Sequence, residues 1–391
     1  MRVYRNITVL EAARQRIAWL YDEFETVIVS FSGGKDSTVV LNLTLEEAER
    51  RGRLPVPVIF IDQEAEWQMV IDYAREVRED PRVDFMWFQV PFRIFNACSA
   101  DHEWLHAWDP AAEAEWVRPR EPGAITENVY GTDRFGDLFD RIPAHHWKGP
   151  LANIGGVRCS ESPGRRKGLT SFATYKHVTW GSKTGRKARG QFDFYPIFDW
   201  EDSDVWKAIH AHGWRYCRVY DEMYRYGCPL KAMRVSNLSH ETALSSLLLV
   251  QEVERETWNR VQQRLPGANT LRHLRADFHG PRELPPMFAD WTEYRDFLLE
   301  RLITNAEHRE KMRRSFASLD ASYHEDVLPS LIRMQISAIL VNDYHMTKLG
   351  NFIAANSRFS KGAGKNGGSA GGGAFAASLA KIDAENGRKT A

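Results

Sequence analysis

The chain contains 391 residues, and its 52 Lys and Arg residues are balanced by 52 Asp and Glu residues, so the formal net charge is zero. This balance argues against a general electrostatic attraction to nucleic acid or to a membrane surface, and the presence of only four cysteines excludes a disulfide framework. The length predicts two domains, because one hydrophobic core seldom grows beyond about 250–300 residues.

Helical and strand patterns alternate through the N-terminal part of the chain. Apolar residues spaced for one helix face predict a helix over residues 9–24, and the β-branched run 26–31 predicts a buried strand. The two patterns then repeat, with helices predicted over 38–51 and 67–78 and strands over 57–62 and 83–90. Strands that alternate with helices predict an α/β fold built on a doubly wound parallel sheet.

The middle of the chain is less regular. Residues 95–150 are rich in Trp, His, Pro and Gly without a clear period, which is typical of a functional loop or lid. A strand is predicted over 171–180, and a helix over 202–212 that is capped by Asp202 or Ser203. The remainder is mostly helical, with helices predicted over 241–265, 291–316 and 328–347.

These patterns predict three segments. An α/β domain spans residues 1–236, a mostly helical domain spans 237–359, and a Gly-rich tail over 360–391 is predicted to be disordered. The sequence contains no apolar run typical of a signal peptide or a membrane span. We therefore expect a cytoplasmic protein that contacts no membrane.

The segment Ser30-Phe-Ser-Gly-Gly-Lys-Asp-Ser37 connects the first predicted strand to the next helix. Gly33 and Gly34 allow the backbone to turn tightly and to approach an anion, and the following helix presents unpaired N–H groups and the positive end of its dipole. Side chains that add donors or charge are those of Ser30, Ser32, Lys35 and Ser37. The pattern predicts a phosphate-binding loop; the alternative is a plain Gly- and Ser-rich turn.

Asp36 is the unusual member of this loop, because a carboxylate repels phosphate groups. Two explanations remain open at this point. Either a Mg²⁺ ion lies between Asp36 and the phosphates, or Asp36 braces the loop through contacts with other side chains.

The string Ser32-Gly-Gly-Lys-Asp-Ser37 resembles the pyrophosphate loop of the ATP-pyrophosphatase superfamily, whose signature is Ser-Gly-Gly-x-Asp-Ser. Further segments are similar, in order, to the phosphoadenosine-phosphosulfate (PAPS) reductase family. They are Val-Ile-Phe-Ile-Asp at 58–62, Gly-Val-Arg-Cys-Ser-Glu-Ser at 156–162, Tyr-Pro-Ile-Phe-Asp-Trp at 195–200, and Tyr-Asp-Glu-Met-Tyr at 220–224 with Gly-Cys-Pro at 227–229. The resemblance implies an adenine nucleotide alpha hydrolase-like fold over roughly residues 25–235.

The resemblance also implies a set of site residues and ligands. It places Asp62 near a bound nucleotide, and the neighbouring Gln63 and Glu64 are expected to contact ribose or adenine. Residues expected to bind the nucleotide or to stabilise charge on its α-phosphate are Gly156, Arg158, Glu161, Arg165 and Lys183, and the catalytic candidates are Lys35, Asp36, Arg158 and Arg165. The implied ligands are ATP, or PAPS or its 3′-dephosphorylated form APS, with Mg²⁺ held at Asp36.

The cysteines depart from the reductase pattern. The family's catalytic Cys lies near the C-terminus in a Glu-Cys-Gly-Ile-His string, but no cysteine follows Cys228 here. The residues after Cys228 are Pro, Leu and Lys, so the second Cys of an iron–sulfur pair is also missing, and no iron–sulfur cluster is expected. What remains is the superfamily's other chemistry, attack on the α-phosphate of ATP with release of pyrophosphate.

We therefore rank three functions. The first is an enzyme that cleaves ATP to AMP, or transfers the adenylyl group, with release of pyrophosphate. The second is a non-catalytic, nucleotide-gated regulator. The chain resembles the Ibr-type subgroup of the family, which implies a ParB-like partner, gene regulation and an origin in mobile elements or phages, and a related subgroup acts in DNA phosphorothioation. The third is a sulfonucleotide reductase in which Cys159 or Cys228 has taken over the catalytic role.

Overall fold

The computed structural model describes residues 6–99, 102–170, 175–181, 190–230, 233–240, 244–268, 283–346, 349–350 and 352–353. The described residues fall into two compact units, drawn from 1–96 with 104–269 and from 97–103 with 270–391. The boundary expected near Asn237 therefore lies inside the first unit. The helical segment that follows it forms hydrogen bonds and an ion pair with the α/β part, as described below.

The described residues contain seven strands. They are β1 (Thr26–Phe31), β2 (Val56–Ile61), β3 (Val83–Phe88), β4 (Phe92–Phe95), β5 (Trp104–Ala107), β6 (Leu151–Ile154) and β7 (Gln191–Phe194). Five of them form one sheet in the order β3-β2-β1-β6-β7, in which every pair is parallel. The other two, β4 and β5, form an antiparallel pair.

Helices connect and flank these strands. They are α1 (Val9–Glu23), α2 (Lys35–Arg50), α3 (Gln68–Arg78), α4 (Phe135–His146), α5 (Pro163–Thr170), α6 (Asp202–His212), α7 (Val219–Arg225), α8 (Leu244–Val253), α9 (Arg255–Arg264), α10 (Trp291–Leu302), α11 (Ala306–Ser322) and α12 (Leu328–Leu340), with a short 3-10 helix at Pro110–Glu115. No helix in the described ranges is long and apolar enough to cross a membrane.

The sheet confirms the predicted doubly wound α/β fold. Its inner strands are buried along almost their whole length, as expected for strands covered by helices on both faces. The chain runs outward from β1 through β2 to β3, then returns to the other side of β1 with β6 and β7. The order of the sheet therefore reverses between β1 and β6.

Several element predictions need correction. The irregular stretch 95–150 contains β5 and α4 and leads to β6. β6 is only four residues long, which is too short to show a period. Of the strand predicted over 171–180, residues 171–174 lie outside the described residues, and no strand forms over 175–180. The helices predicted over 241–265 and 291–316 are each two helices, with breaks at Glu254 and at Ile303–Asn305.

The second unit contains α10, α11 and α12 around one apolar cluster. Its members include Leu298, Leu299, Met312, Phe316, Leu331 and Ile336. Arg295 joins the three helices at the side of this cluster, because its Nη1 lies 2.6 Å from Asp320 Oδ2 on α11 and 2.8 Å from Gln335 Oε1 on α12. The predicted helical character of the C-terminal region is thus confirmed for this unit.

Candidate functional site

The loop over Ser30–Ser37 lies where the order of the sheet reverses. It leaves the carboxyl end of β1, which has β2 on one side and β6 on the other, and enters α2. Ligands of open parallel sheets bind in the crevice at such a reversal. Across it, the Ser30 hydroxyl donates a hydrogen bond of 2.9 Å to Oδ1 of Asn153 on β6.

The two glycines of the loop serve different needs. Gly33 has a φ of +69°, in the left-handed region, and a Cβ added to it would lie 2.7 Å from Cγ1 of Val70. Gly34 has an ordinary φ of −79° as the N-cap of α2. A Cβ on Gly34 would lie 3.4 Å from Ser32 Oγ, Tyr220 Oη and Val235 Cγ2. The backbone therefore requires glycine at Gly33, whereas Gly34 keeps a narrow space open.

Gly156, two residues after β6, lies against the first turn of α2. A Cβ on Gly156 would be 2.8 Å from the amide nitrogen of Ser37 and 2.8 Å from the carbonyl carbon of Asp36. Any side chain at this position would collide with the amide end of the helix. The structure thus brings Gly156 to the loop, where the sequence analysis expected it.

Serine hydroxyl groups form the hydrogen bonds within the loop, and several backbone amides of the loop have no acceptor among the described residues. Ser37 Oγ accepts a hydrogen bond of 3.3 Å from Ser32 N–H and donates one of 2.9 Å to the Gly34 carbonyl. Ser32 Oγ is exposed and lies 3.2 Å from Ser37 Oγ. Within the described part of the chain, no acceptor faces the N–H groups of Gly33, Gly34, Asp36 and Ser37. These are the donors that the start of a helix leaves unpaired.

Four charged side chains form a network beside these amides. Asp36 places Oδ1 at 2.6 Å from Arg158 Nε and Oδ2 at 3.0 Å from Lys35 Nζ. Asp202, in the first turn of α6, places Oδ1 at 2.7 Å from Arg158 Nη2 and 3.4 Å from Lys35 Nζ. Both cations are buried, and the four charges sum to zero. Of the two roles considered for Asp36, this geometry favours bracing the loop.

A Mg²⁺ ion does not fit Asp36 in this arrangement. Both carboxylate oxygens already lie against cationic groups, whereas Mg²⁺ needs oxygen ligands that are free to coordinate it. In the parts of the chain that the structure describes, no group of three or more His, Cys, Asp or Glu side chains is arranged to hold a metal ion.

The predicted residues after β6 come together next to this network. Glu161 forms an ion pair with Arg165 and lies 3.9 Å from Arg158 Nε. The side chain of Arg165, at the start of α5, is 45% exposed. Partial burial and the neighbouring guanidinium groups of Arg234 and Arg158 lower the pKa of Arg165. Arg234 is therefore a basic residue near the site that the sequence analysis did not identify.

The residues expected to contact ribose or adenine lie in a buried cluster after β2. Asp62 accepts hydrogen bonds of 2.9 Å from Trp87 Nε1 and from Gln89 Nε2, and it pairs with Arg118. These internal partners use the hydrogen-bonding capacity of Asp62, which is 0% exposed. The geometry therefore favours a structural role for this carboxylate.

Glu64 is held in a similar way. Its carboxylate lies 2.7 Å from Arg264 Nε and accepts a hydrogen bond of 2.8 Å from Trp108 N–H. Gln63 is also buried, and its Oε1 has no partner in the described part of the chain. Glu66, which the sequence analysis did not identify, completes the cluster: burial and the nearby Asp62 raise its pKa to about 8.

The remaining candidates are Lys183 and the cysteines. Lys183 lies outside the described residues. Cys98 and Cys217 are buried, which raises the pKa of each thiol to about 12. Burial also raises the pKa of Cys228. A raised pKa opposes formation of the thiolate that acts as a nucleophile or a metal ligand.

Two further residues lie at the loop but were not predicted as site residues. Asp202 was predicted as a helix cap, but Glu201 caps α6 together with Asp204, and Asp202 instead binds Arg158. Tyr220 lies in one of the motif segments, and its hydroxyl oxygen accepts the N–H of Lys35 at 3.0 Å. Only tertiary structure places these side chains at the loop, since both are more than 160 residues away from it in sequence.

The family model described as "Phosphoadenosine phosphosulfate reductase domain" matches residues 26–231 of the chain. The protein YbdN of Escherichia coli strain K12 is 32% identical over 330 residues, which cover 79% of this chain and 80% of YbdN. The family match includes the glycine loop, the Gly156–Arg165 segment and the segment that carries Tyr220. The match to YbdN covers most of the chain.

More distant similarities extend to two named enzymes. Sulfate adenylyltransferase subunit 2 of Pseudomonas aeruginosa strain PAO1 is 24% identical over 203 residues, which are 49% of this chain and 58% of that relative. The crystal structure of phosphoadenylyl-sulfate reductase from Candida auris, a phosphate complex, has 16% sequence identity and a TM-score of 0.33, and the match covers 55% of this chain and 86% of that one.

Proposed function

This chain belongs to the phosphoadenosine phosphosulfate reductase family, and from this membership we propose that it binds an adenine nucleotide by its phosphates at the loop Ser30–Ser37. We further propose that the bound nucleotide is ATP and that the reaction is cleavage at the α-phosphate. The products are pyrophosphate and either AMP or an adenylylated acceptor.

One observation carries this proposal. The amide end of α2 is kept open by two glycines on separate segments, Gly33 with its left-handed φ and Gly156 in contact with the Asp36–Ser37 peptide. A side chain on Gly33 would meet Val70, and one on Gly156 would meet the Asp36–Ser37 peptide, so either would displace the loop or the start of α2. Unpaired amides at a helix N-terminus bind phosphate groups through hydrogen bonds and the helix dipole.

The chemistry follows from where negative charge develops. An acceptor oxygen, from water or from a second substrate, attacks the α-phosphorus, and the bond from the α-phosphorus to the oxygen bridging to the β-phosphate breaks. The leaving pyrophosphate gains charge, which the loop amides and the exposed Ser32 hydroxyl would stabilise. Arg165 is exposed beside the loop and would stabilise charge on the α-phosphoryl oxygens. Lys35 and Arg158 are held by carboxylates and act on the loop itself.

The cysteines support this choice over sulfonucleotide reduction. A reductase needs a thiolate nucleophile, and burial raises the pKa of Cys228 and of Cys217. Cys159 would then have to act without a second thiol held close to it in sequence. Release of sulfite from PAPS that persists after Cys159→Ser and Cys228→Ser exchange would rule out a reductase that uses these two thiols; release that is lost would favour it.

The test is a binding and product assay on the intact chain. Calorimetry with ATP and with PAPS measures association, and chromatography after incubation with ATP and Mg²⁺ measures AMP and pyrophosphate. We expect ATP binding and pyrophosphate formation in the wild type, and loss of both in Gly33→Ala. The exposed Arg225, which pairs with Glu222, supplies the control Arg225→Gln, which is expected to behave as wild type. Failure of both nucleotides to bind would overturn the proposal.

A second candidate function is nucleotide-gated regulation without turnover. It is favoured by the charge network, because both buried cations at the loop are already neutralised by Asp36 and Asp202. The helical unit that contains α10–α12 would be the interaction module, with the ParB-like protein implied by the subgroup resemblance as its partner. ATP binding without any pyrophosphate, together with co-purification of such a partner, would favour regulation over catalysis.

A further inference from the structure

Tyr220 is fixed against the glycine loop from the first turn of α7. Its side chain is 4% exposed, and its ring packs edge-on against Trp206 with 5.3 Å between centroids. Its hydroxyl oxygen accepts the N–H of Lys35, the first residue of α2, at 3.0 Å. The amide that opens the helix is therefore bound to a phenol.

The hydroxyl of Tyr220 still has a proton to donate. A phenol offers one O–H donor in addition to its acceptor sites, and none of the described residues accepts this proton. A buried donor without an acceptor is costly. The comparison with Tyr73 is direct: that tyrosine also reaches α2, 3.1 Å from Thr38 Oγ1, but it donates its proton to the Arg215 carbonyl at 2.9 Å.

The position of the hydroxyl points to where an acceptor would be. A Cβ on Gly34 would lie 3.4 Å from each of three atoms, Tyr220 Oη, Ser32 Oγ and Val235 Cγ2. The phenol and the serine hydroxyl therefore flank the small space that Gly34 keeps open. Lys35 Nζ, which is paired with Asp36, lies 5.8 Å from the centre of the Tyr220 ring.

The phenol remains protonated under ordinary conditions. Burial, and next the carboxylate of Asp36, raise the pKa of Tyr220 well above its ordinary value. A neutral phenol next to unpaired amides can donate a hydrogen bond to an anion, but it does not lose its proton at neutral pH. This suits binding of a phosphate oxygen and not general-base catalysis.

We infer that Tyr220 is a further ligand of the anion on the glycine loop, with its O–H donating to a phosphate oxygen while its oxygen holds the Lys35 amide. The phenol thus extends the row of donors at the start of α2 by one position. This inference rests on the proposed phosphate-binding function of the loop. It adds a residue on α7, far from the loop in sequence, to the groups that recognise the phosphate chain.

The matched pair Tyr220→Phe and Tyr73→Phe tests the inference, because each removes one buried hydroxyl that contacts α2. Sodium pyrophosphate, ATP and adenosine are titrated calorimetrically into each full-length variant, and thermal unfolding is followed with and without pyrophosphate. Hydrogen bonds to charged groups predict that Tyr220→Phe binds pyrophosphate and ATP about 10- to 100-fold more weakly. Adenosine binding should be the same as in wild type, and Tyr73→Phe should bind all three probes as wild type does.

Three outcomes would overturn the inference. Unchanged pyrophosphate affinity in Tyr220→Phe means that the phenol only caps the helix. An equal loss for adenosine and pyrophosphate means that the substitution disturbs the fold of the site in general. Absence of pyrophosphate binding in the wild type removes the anion altogether. Failure of the proposed function is distinct: wild-type protein that binds pyrophosphate but neither ATP nor PAPS contradicts that proposal, and Tyr220 is then judged on pyrophosphate alone.

Discussion

The carboxylate of Glu254 accepts the backbone N–H of Gln68 at 2.6 Å, although 186 residues separate them in the chain. The same carboxylate accepts the N–H of Met69 at 2.9 Å. Glu254 lies between α8 and α9, and the two amides belong to the first turn of α3. A side chain from the helical segment after Asn237 therefore caps α3, a helix that packs on the parallel sheet. The capped turn precedes Val70, which lies against Gly33.

We predict that Glu254→Ala lowers the free energy of unfolding of the first unit by about 0.5–2 kcal/mol, the usual contribution of an N-terminal helix cap. The loss arises because two amides of α3 become unpaired and because α3 loses a carboxylate next to the positive end of its dipole. Urea unfolding measures it. The exposed neighbour Glu256 gives the control Glu256→Ala, and equal stabilities of the two variants would contradict the capping role.

The sheet was predictable because its signals are local. The runs Thr26–Phe31 and Val56–Ile61 are apolar and β-branched. The loop between β1 and α2 carries its glycines, serines and lysine in consecutive positions, which predicts a phosphate-binding loop. The strand β6 was not predictable, because four residues carry no measurable period and its partner β1 is remote in sequence. The contacts of the helical segment after Asn237 were not predictable for a related reason: Glu254 and Arg264 look like ordinary surface charges until the fold brings them to α3 and Glu64.

A second prediction concerns Arg158, which is 2% exposed and touches both Asp36 and Asp202. Removal of one partner from a buried ion pair typically costs about 3–5 kcal/mol, because the other charges stay buried without compensation. We expect Arg158→Met to destabilise the protein by an amount at the lower end of this range, since both carboxylates keep partial contact with water and with Lys35.

Chemical denaturation of Arg158→Met beside Arg225→Met separates this effect from the loss of any arginine. Arg225 forms an exposed ion pair with Glu222 on α7, and exposed pairs contribute about 0–1 kcal/mol. If both variants lose the same small amount of stability, Arg158 does not brace the loop, and a direct role on the nucleotide would be the better explanation.

A third prediction contrasts the two glycines of the loop. Gly33→Ala places a side chain at φ +69° and within 2.7 Å of Val70, so we expect a loss of about 1–3 kcal/mol in stability together with loss of nucleotide binding. Gly34→Ala has an ordinary φ and contacts no closer than 3.4 Å, so it should fold with nearly wild-type stability. Thermal unfolding and ATP titration of both variants check this; a Gly33→Ala protein that is as stable as Gly34→Ala would contradict the described backbone.

The site was predictable where motif residues are neighbours in sequence. It was not predictable where a polar side chain is hydrogen-bonded to other side chains of the protein. The carboxylate of Asp62 is bonded to Trp87, Gln89 and Arg118. Nothing in the sequence distinguishes it from a carboxylate that faces a ligand. Burial decides this difference, and burial depends on segments such as 104–121 for which no regular pattern existed.

The last prediction concerns the pH dependence of stability and depends on Glu66. Its pKa in the folded protein is raised from 4.5 to about 8, first by burial and next by the charge of Asp62. Between these two values the folded protein retains a proton that the unfolded chain has released, so a rise in pH favours unfolding. The contribution of Glu66 to stability is therefore complete below pH 4.5 and is lost as the pH rises toward 8, with a limiting slope of about 1.4 kcal/mol per pH unit.

Glu66→Gln isolates this contribution, because the amide has nearly the same shape and does not titrate in this range. We expect the variant to gain stability relative to wild type as the pH is raised from 5 to 8, and the difference between the two proteins to level off above the folded pKa. Urea unfolding at successive pH values measures the difference, in which all other titrating groups cancel. The exposed Glu256→Gln should run parallel to wild type throughout. A Glu66→Gln curve that is also parallel to wild type would mean that Glu66 is ionised in the folded protein and that the cluster after β2 carries one more negative charge than its hydrogen bonds indicate.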